Sequence, residues 1–300
     1  MPRPEMRQLT RAPVPHLRPF VRQVWAWAPG AEGAGAERPG AREHVLPTGG
    51  MHLVFRLSGP PLKLFGHAAD TEGRTYGHAI VGGARSSFYL RDVSVATRSV
   101  GAQLQPGAAR ALLGAPEDAL SGQHTPLDAL WGAREAADAL GRLHAEADLA
   151  RQLALFEAML SARLALALRA GLRGLHPAIA AALGPLAGEN PAIGALVADS
   201  GYSHRRFIAL FRGAIGLTPK EYARVMRFDR ALALAADPAR PWAEIAFEAG
   251  YADQAHLSRE FSALAGMAPQ AWRRTGATSP RHVTVPANAA NGQIRSRRPR

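Results

Sequence analysis

Three hundred residues, 47% of them apolar, are enough for two domains with real cores, and no run approaches the roughly 20 apolar residues a membrane-spanning helix needs. The complete lack of cysteine excludes disulfides, thiol catalysis and Cys-ligated zinc. A net charge of +12 invites a polyanion partner, but the signal is discounted because every basic residue except Lys63 and Lys220 is Arg in an Ala- and Gly-rich chain, the mark of a GC-rich coding bias.

The opening residues Met1-Pro2-Arg3-Pro4-Glu5 hold no apolar signal core, and a cytosolic protein is expected. From about Phe20 to Gln105 the pattern is short and strand-like: Phe20-Val21, Val24-Trp25 and Trp27, then His52 to Leu57, Tyr76 to Val81, Ser87 to Leu90 and Val93 to Leu104. Gly and Pro clusters separate these runs, so a small antiparallel sheet or barrel is predicted. Ala31 to Gly40 reads as a mobile loop. A helix is predicted over Ala108 to Leu113. From Pro126 to Leu172 the period turns helical. Leu149, Leu153, Phe156, Leu160, Leu164 and Leu168 line one face, which reads as core or, alternatively, as a dimer seam.

Beyond Leu175 the signals are helical starts and stops. Asn190-Pro191 is read as an N-cap and first helical position, Ser203 and Asp253 as N-caps, Pro241 as a helix opener, and Gly216 and Pro219 as a stop. Glu221 to Ala236 is one continuous helical stretch. The tail after Arg274 carries Arg281, Arg295, Arg297, Arg298 and Arg300 among Pro, Asn and Ser, and is read as basic and disordered.

One pattern occurs twice in this region. Gly201-Tyr202, Phe207, Phe211, Gly216, Pro219 and Tyr222 match Gly250-Tyr251, Leu257, Phe261, Gly266, Pro269 and Trp272, with one extra residue near Ala252 in the second turn. A short helix, a Gly-bearing turn at positive φ and a second helix with a buried aromatic stripe is the layout of a helix-turn-helix. With Phe207, Leu210, Phe211, Leu257 and Phe261 inward, the outward residues are His204, Arg205, Ile208, Ala209 and Arg212, and Gln254, Ala255, Ser258, Arg259 and Ser262. Side chains at the head of such a helix reach base edges in a major groove, Arg reading guanine and Gln reading adenine. Two plain α-hairpins with solvated arginines are the bland alternative, and the matched pair argues against it.

Residues 190–274 resemble the DNA-binding domain of the AraC/XylS family of bacterial transcription regulators. Ile245 through Phe261, with Gly266-Met267-Ala268-Pro269, matches that family's signature, and Met226-Arg227-Phe228 with Ala231 resembles its linker helix. The resemblance implies seven helices, with two recognition helices entering successive major-groove segments. By position it assigns His204, Arg205, Ile208 and Ala209, and Gln254, Ala255, Ser258 and Arg259, to base reading. Ser203 belongs to the same DNA-facing set, and Arg206, Arg212 and His256 are assigned to phosphate or flank contacts. Ile208, Ala209 and Ala255 are apolar or small where a reader often carries polar groups, which leaves Arg205 as the hydrogen-bonding reader of the first helix. In the N-terminal half, Trp25, Leu46 to Gly50, Leu53 to Phe55, Gly82 to Arg85 and Leu104 to Ala109 resemble a sensor-like domain found ahead of this DNA-binding domain in some members.

The expected fold is α+β in two domains. Residues 1–174 form a small antiparallel β-sheet or barrel with trailing helices, an effector or dimerisation module. Residues 175–274 form an all-α domain of two helix-turn-helix units joined by a linker helix, and 275–300 a basic tail. The expected partner is double-stranded DNA. RNA polymerase, a small-molecule effector of unknown binding residues and a second copy of the chain are left open, as is activation against repression. No cofactor, metal, membrane partner or catalytic residue is expected. The rival readings are a cupin-like enzyme using His44, His52, His67 and His78, which lack a His-x-His pair with a following Glu, and a scaffold that binds no DNA. Alkyl-acceptor repair chemistry of the Ada type requires cysteines, and neither Gly-x-Ser-x-Gly nor a phosphate-binding Gly-x-x-x-x-Gly-Lys run occurs.

Overall fold

The strand-like segments of the first hundred residues pair antiparallel, and the computed structural model describes residues 7–30, 38–172, 174–188, 191–276, 279 and 281–285. The strands are β1 (Arg7–Arg11), β2 (Val21–Ala28), β3 (Arg42–Val45), β4 (His52–Arg56), β5 (Leu62–Phe65), β6 (Arg74–Gly77), β7 (Ala79–Gly82), β8 (Tyr89–Asp92) and β9 (Ser99–Leu104). Helices α1 (Ala109–Leu113) and α2 (Glu117–Leu120), strand β10 (His124–Pro126) and helices α3 (Asp128–Trp131), α4 (Ala133–Ala145) and α5 (Leu149–Arg169) follow. One sheet has six strands in the order β1-β2-β9-β4-β7-β10, and the other runs β3-β8-β5-β6, extended at β3 by a late strand described below.

The first sheet has two unlike faces, because successive side chains point opposite ways along a strand. Leu53 and Phe55 of β4, with Val100, Ala102 and Leu104 of β9, are buried in the same core as Leu153, Phe156 and Leu160 of α5. Phe55 meets Phe156 edge-on at 5.8 Å. Glu157 of α5 is almost fully buried and is satisfied by Arg11 at 2.5 Å and by the Val14 backbone N–H at 2.8 Å. The alternate residues, His52 of β4 and Gln103 of β9 among them, face the second sheet. There Leu62, Leu64 and Ile80 form a smaller apolar cluster with Tyr76 and Tyr89 against it.

The C-terminal helices are α6 (Pro177–Gly188), α7 (Ile193–Ser200), α8 (His204–Ile215), α9 (Pro219–Leu234), α10 (Trp242–Glu248), α11 (Gln254–Ala265) and α12 (Pro269–Arg274). Phe207, Phe211, Phe228 and Phe261 are fully buried among them. Phe261 is ringed by Phe228 at 5.1 Å, Trp242 at 5.7 Å and Trp272 at 5.8 Å. Such edge-on aromatic packing adds about 0.5–1.5 kcal/mol per pair beyond area burial. The two halves pack on each other. His44 Nδ1 lies 2.9 Å from the Ala265 carbonyl oxygen, Ser121 Oγ donates to the Gly216 carbonyl, and Phe88 fills the space a side chain would take at Gly266.

Several expectations are corrected. The helical stretch 126–172 is three helices, and its apolar stripe packs on the six-stranded sheet rather than forming a seam; only its end emerges, with Leu166 58% and Leu168 53% exposed. The run Tyr76 to Val81 breaks at His78 into strands of different sheets, and Val93 to Leu104 contracts to β9. The strands β1, β3, β5 and β10 were not signalled: β1, β3 and β10 are short and rich in Arg, His and Thr, and β5 is a run of only four residues. Pro191 precedes rather than opens α7, whose N-cap is Ala192 without a side-chain bond. Asn190, the loop core 31–37 and most of the tail lie outside the described residues. Within that tail, however, His282–Val285 is strand β11, paired antiparallel with β3, because Val283 finds a fully buried position there.

Candidate nucleic-acid interface

Each helix-turn-helix unit is built by the same local chemistry. α7 and α8 are joined through Gly201 (φ 69°), and α10 and α11 through Gly250 (φ 83°), both left-handed conformations that side chains disfavour. Ser203 Oγ then accepts the Arg206 N–H at 3.3 Å, and Asp253 Oδ1 accepts the His256 N–H at 2.6 Å. These caps satisfy backbone donors left open at a helix start. The extra residue of the second turn lies between Gly250 and its cap, where the sequence placed it. Phe207, Phe211 and Ile215 pin α8, and Leu257, Phe261 and Leu264 pin α11, so the outward face of each is fixed by the inward one. The linker helix α9 begins with a full capping box, Thr218 and Glu221 bonding reciprocally.

On α8, Ser203, His204, Arg205, Arg206, Ala209 and Arg212 are exposed, whereas Ile208 is half-buried against the core. On α11, Gln254, Ala255 and Arg259 are exposed, with Ser258 and His256 half-buried. Three of these side chains have structural work. Ser203 is the cap of α8. His256 takes the Ala252 N–H at 3.4 Å and lies edge-on to Tyr251 at 5.3 Å. Ile208 packs inward, which reduces what it offers to a base.

The two helices differ in their surroundings. Arg206 and Ala209 border a cleft of about 340 Å³ whose far wall is Arg110, Glu117 and Asp118 of the N-terminal half. Arg212 borders a second cleft of about 280 Å³ with Arg85, Ser86 and Ser87. Glu117 is 3% exposed, and burial pushes its carboxyl up to about 7 although the Ala109 N–H it caps opposes this.

Residues that sequence reasoning missed hold the second unit to the linker. Arg224 of α9 pairs with Glu260 of α11 at 2.6 Å, and the Arg227 guanidinium lies over the Tyr251 ring at 5.5 Å. Burial pushes the Tyr251 hydroxyl up to about 12, Arg227 opposing. Arg240 pairs with Glu248 at 3.1 Å. The Arg224–Glu260 and Arg227–Tyr251 partners lie far apart in the chain, and no local pattern announces them. The four histidines of the enzyme reading are dispersed: His44 faces Ala265, His52 faces the second sheet and His67 is exposed. Among the described residues no group of three or more His, Cys, Asp or Glu could hold a metal ion, and no helix is long and apolar enough to cross a membrane.

Residues 196–275 match a family model described as "Helix-turn-helix domain", and residues 9–126 match one described as "Domain of unknown function (DUF6597)". A probable transcriptional regulator, LumQ of Photobacterium leiognathi, is 36% identical over 64 residues, which are 21% of this chain and 26% of that protein's length. Among solved structures, unsaturated-fatty-acid-bound ToxT of Vibrio cholerae aligns over 93% of this chain and all of that one (TM-score 0.46, 12% identity). The C-terminal domain of AraT from Geobacillus stearothermophilus aligns over 35% of this chain and 90% of that one (TM-score 0.32, 21% identity). Residues 196–275 of the chain thus carry a helix-turn-helix domain.

Proposed function

We propose that this protein is a sequence-specific, DNA-binding transcription regulator of the bacterial cytoplasm and not an enzyme. The observation that carries the reading is the matched pair of capped helices, α8 and α11, each pinned by buried aromatics with Arg205 and Arg259 outward. Paired units on one linker let a single chain occupy two groove segments, so a long site does not require a dimer. α11, with Gln254 and Arg259 free of the N-terminal half, is the stronger base reader. α8 reads through Arg205 and positions through Arg206 and Arg212. The β-rich domain is the effector module, and contacts with RNA polymerase or a second copy belong to the same reading.

The test is binding to the promoter of its own or a neighbouring operon against random DNA across a salt series. Specific affinity well above the random level, persisting as salt rises, is expected. Equal affinity for both at every salt concentration overturns the proposal in favour of a scaffold.

A further inference from the structure

The N-terminal half grips both helix-turn-helix units at the matching point of the repeat. Gly216 ends α8 and Gly266 ends α11, each in the left-handed conformation (φ 81° and 72°). Carbonyls at a helix end have no partner within the helix. Ser121 Oγ donates to the Gly216 carbonyl. At the other unit His44 Nδ1 lies 2.9 Å from the Ala265 carbonyl oxygen, so Nδ1 carries the proton and donates. Burial pushes the His44 imidazole down, the bond to Ala265 opposing, and the ring donates in its neutral form. Both caps are also filled by contact. The Glu117 backbone oxygen and the Ala84 methyl stand 3.0 and 3.4 Å from the place of a Cβ at Gly216, and the Phe88 ring occupies that place at Gly266. Phe88 is stacked on His44 with ring centroids 4.7 Å apart.

Ala84 and Phe88 belong to one loop, which leaves β7 in the six-stranded sheet and enters β8 in the second. Phe88 is the fourth residue after Ala84, so their Cα atoms stand at most about 14 Å apart. The loop is fixed at its root. The Gly83 N–H bonds the Gln123 carbonyl at 2.8 Å, the Ala84 carbonyl takes the Gly122 N–H at 2.8 Å, and Arg85 Nη2 donates to the Gln123 carbonyl at 2.9 Å. Gly83 lies so close to the Leu120 carbonyl that a Cβ has no room.

From another side the linker helix joins the same units, Arg224 pairing with Glu260 of α11. One strut between two helices leaves them a hinge, and a second strut at their far ends closes the frame. The linker is itself seated on the N-terminal half, Met226 and Val225 lying against Gly49. Arg205 and Arg259 remain exposed beside this grip. A duplex turns once in about 10–10.5 base pairs, so one pair added between two groove segments rotates the second by about 35°. Helices held at one separation and one rotation therefore accept one spacing.

We propose that the loop from Gly83 to Phe88, with Ser121 and His44 beside it, is a bracket that sets the separation and rotation of α8 and α11, and so the spacing of the two DNA segments the chain accepts. Phe88, Ser121 and His44 are then positioning residues for DNA recognition. This rests on the reading of the chain as a sequence-specific DNA-binding regulator.

The test selects sites from a pool of random duplexes with the full chain. The stretch between the two contacted segments of a selected site is then lengthened and shortened by one base pair and by two. The parent is expected to lose about tenfold in affinity at the first step. Two variants loosen the bracket: Phe88→Ala combined with Ser121→Ala, and a Gly-Gly insertion between Ser86 and Ser87. Each is expected to bind the parent spacing about tenfold more weakly and all spacings within about threefold of one another. Arg259→Ala, outside the bracket, is expected to weaken every spacing alike. The chain has no cysteine, so spin labels go on Ala209→Cys and Ala263→Cys, both exposed positions. One narrow label-to-label distance is expected in the free parent, broadening in both loosened variants. A parent indifferent to spacing, or variants that keep its spacing preference or its narrow distance, overturn the bracket. Tighter binding by the loosened variants at every spacing overturns it too, because the loop then holds the helices away from DNA. A parent that selects no sequence from the pool sinks the regulator reading, whereas clear selection with spacing preference unaltered in the variants sinks the bracket alone.

Discussion

Arg259 and Arg212 are both exposed arginines, and the proposed reading gives them different tasks. Arg259 stands on the outward face of α11, while Arg212 sits late on α8 at the edge of an interdomain cleft. Arg259→Ala is expected to cost about 1–3 kcal/mol and relax preference at one base position. Arg212→Ala is expected to weaken binding to all sequences alike and to lower the salt slope by about 1. Binding to a library of single-base operator variants separates the two; uniform weakening in Arg259→Ala makes it a phosphate contact instead. Glu117 governs a different response. Its carboxyl is raised to about 7 in the folded protein, so the native state binds the proton more tightly than the unfolded chain. The stability this gives is full below the unfolded value near 4.5 and is lost as pH rises through about 7. Glu117→Gln keeps an acceptor for the Ala109 N–H and removes the charge. Its stability relative to the parent is expected to grow between pH 5 and pH 8 by up to about 3 kcal/mol, read from urea unfolding. A parallel pair of pH profiles refutes the assignment.

At the scale of elements, the two recognition helices differ in how their starts are made. Asp253 places a charged oxygen 2.6 Å from its backbone donor, whereas the Ser203 hydroxyl lies at 3.3 Å. Asp253→Ala is expected to destabilise the C-terminal domain by about 1–2 kcal/mol and Ser203→Ala by less, compared by thermal unfolding. These helices were legible because the information is local: a cap, a glycine after it, a proline at the next start, and Phe at helical spacing. The β-region was read in outline only. β4 and β9 showed themselves through Leu53, Phe55, Val100 and Ala102, the side that packs on α5. The opposite side of the same strands holds His52 and Gln103, and β10 holds His124, residues whose types do not announce a strand. The row they form exists only through register between segments distant in sequence, so no periodicity could reveal it. The outward residues of α8 and α11 were nameable by position because their anchors lie on the same helix, whereas the cleft walls beside α8 were not.

At the scale of the whole molecule, Arg281 joins three parts that the sequence presents as separate. Its guanidinium bonds the Pro47 carbonyl oxygen at 2.7 Å and pairs with Asp229 of the linker helix, while β11 continues from it along β3. Met226 and Val225 of the same helix lie against Gly49, next to Pro47 and Thr48. Arg281→Ala is expected to cost about 1–3 kcal/mol and to leave the two halves less firmly joined. A chain stopped at Gly276 is expected to go further, with faster proteolysis between residues 170 and 192 than in the parent. Equal cleavage rates in the three proteins contradict this. Strand β11 also bears on how the protein is made. Its residues are synthesised long after β3, the Arg281–Pro47 bond spanning 234 positions. Until they leave the ribosome, β3 is an uncovered sheet edge, the kind of surface on which strands of other chains pair. The helix-turn-helix units therefore emerge while the sheet before them is still one strand short, and final assembly of the N-terminal domain waits for the segment that follows the C-terminal one.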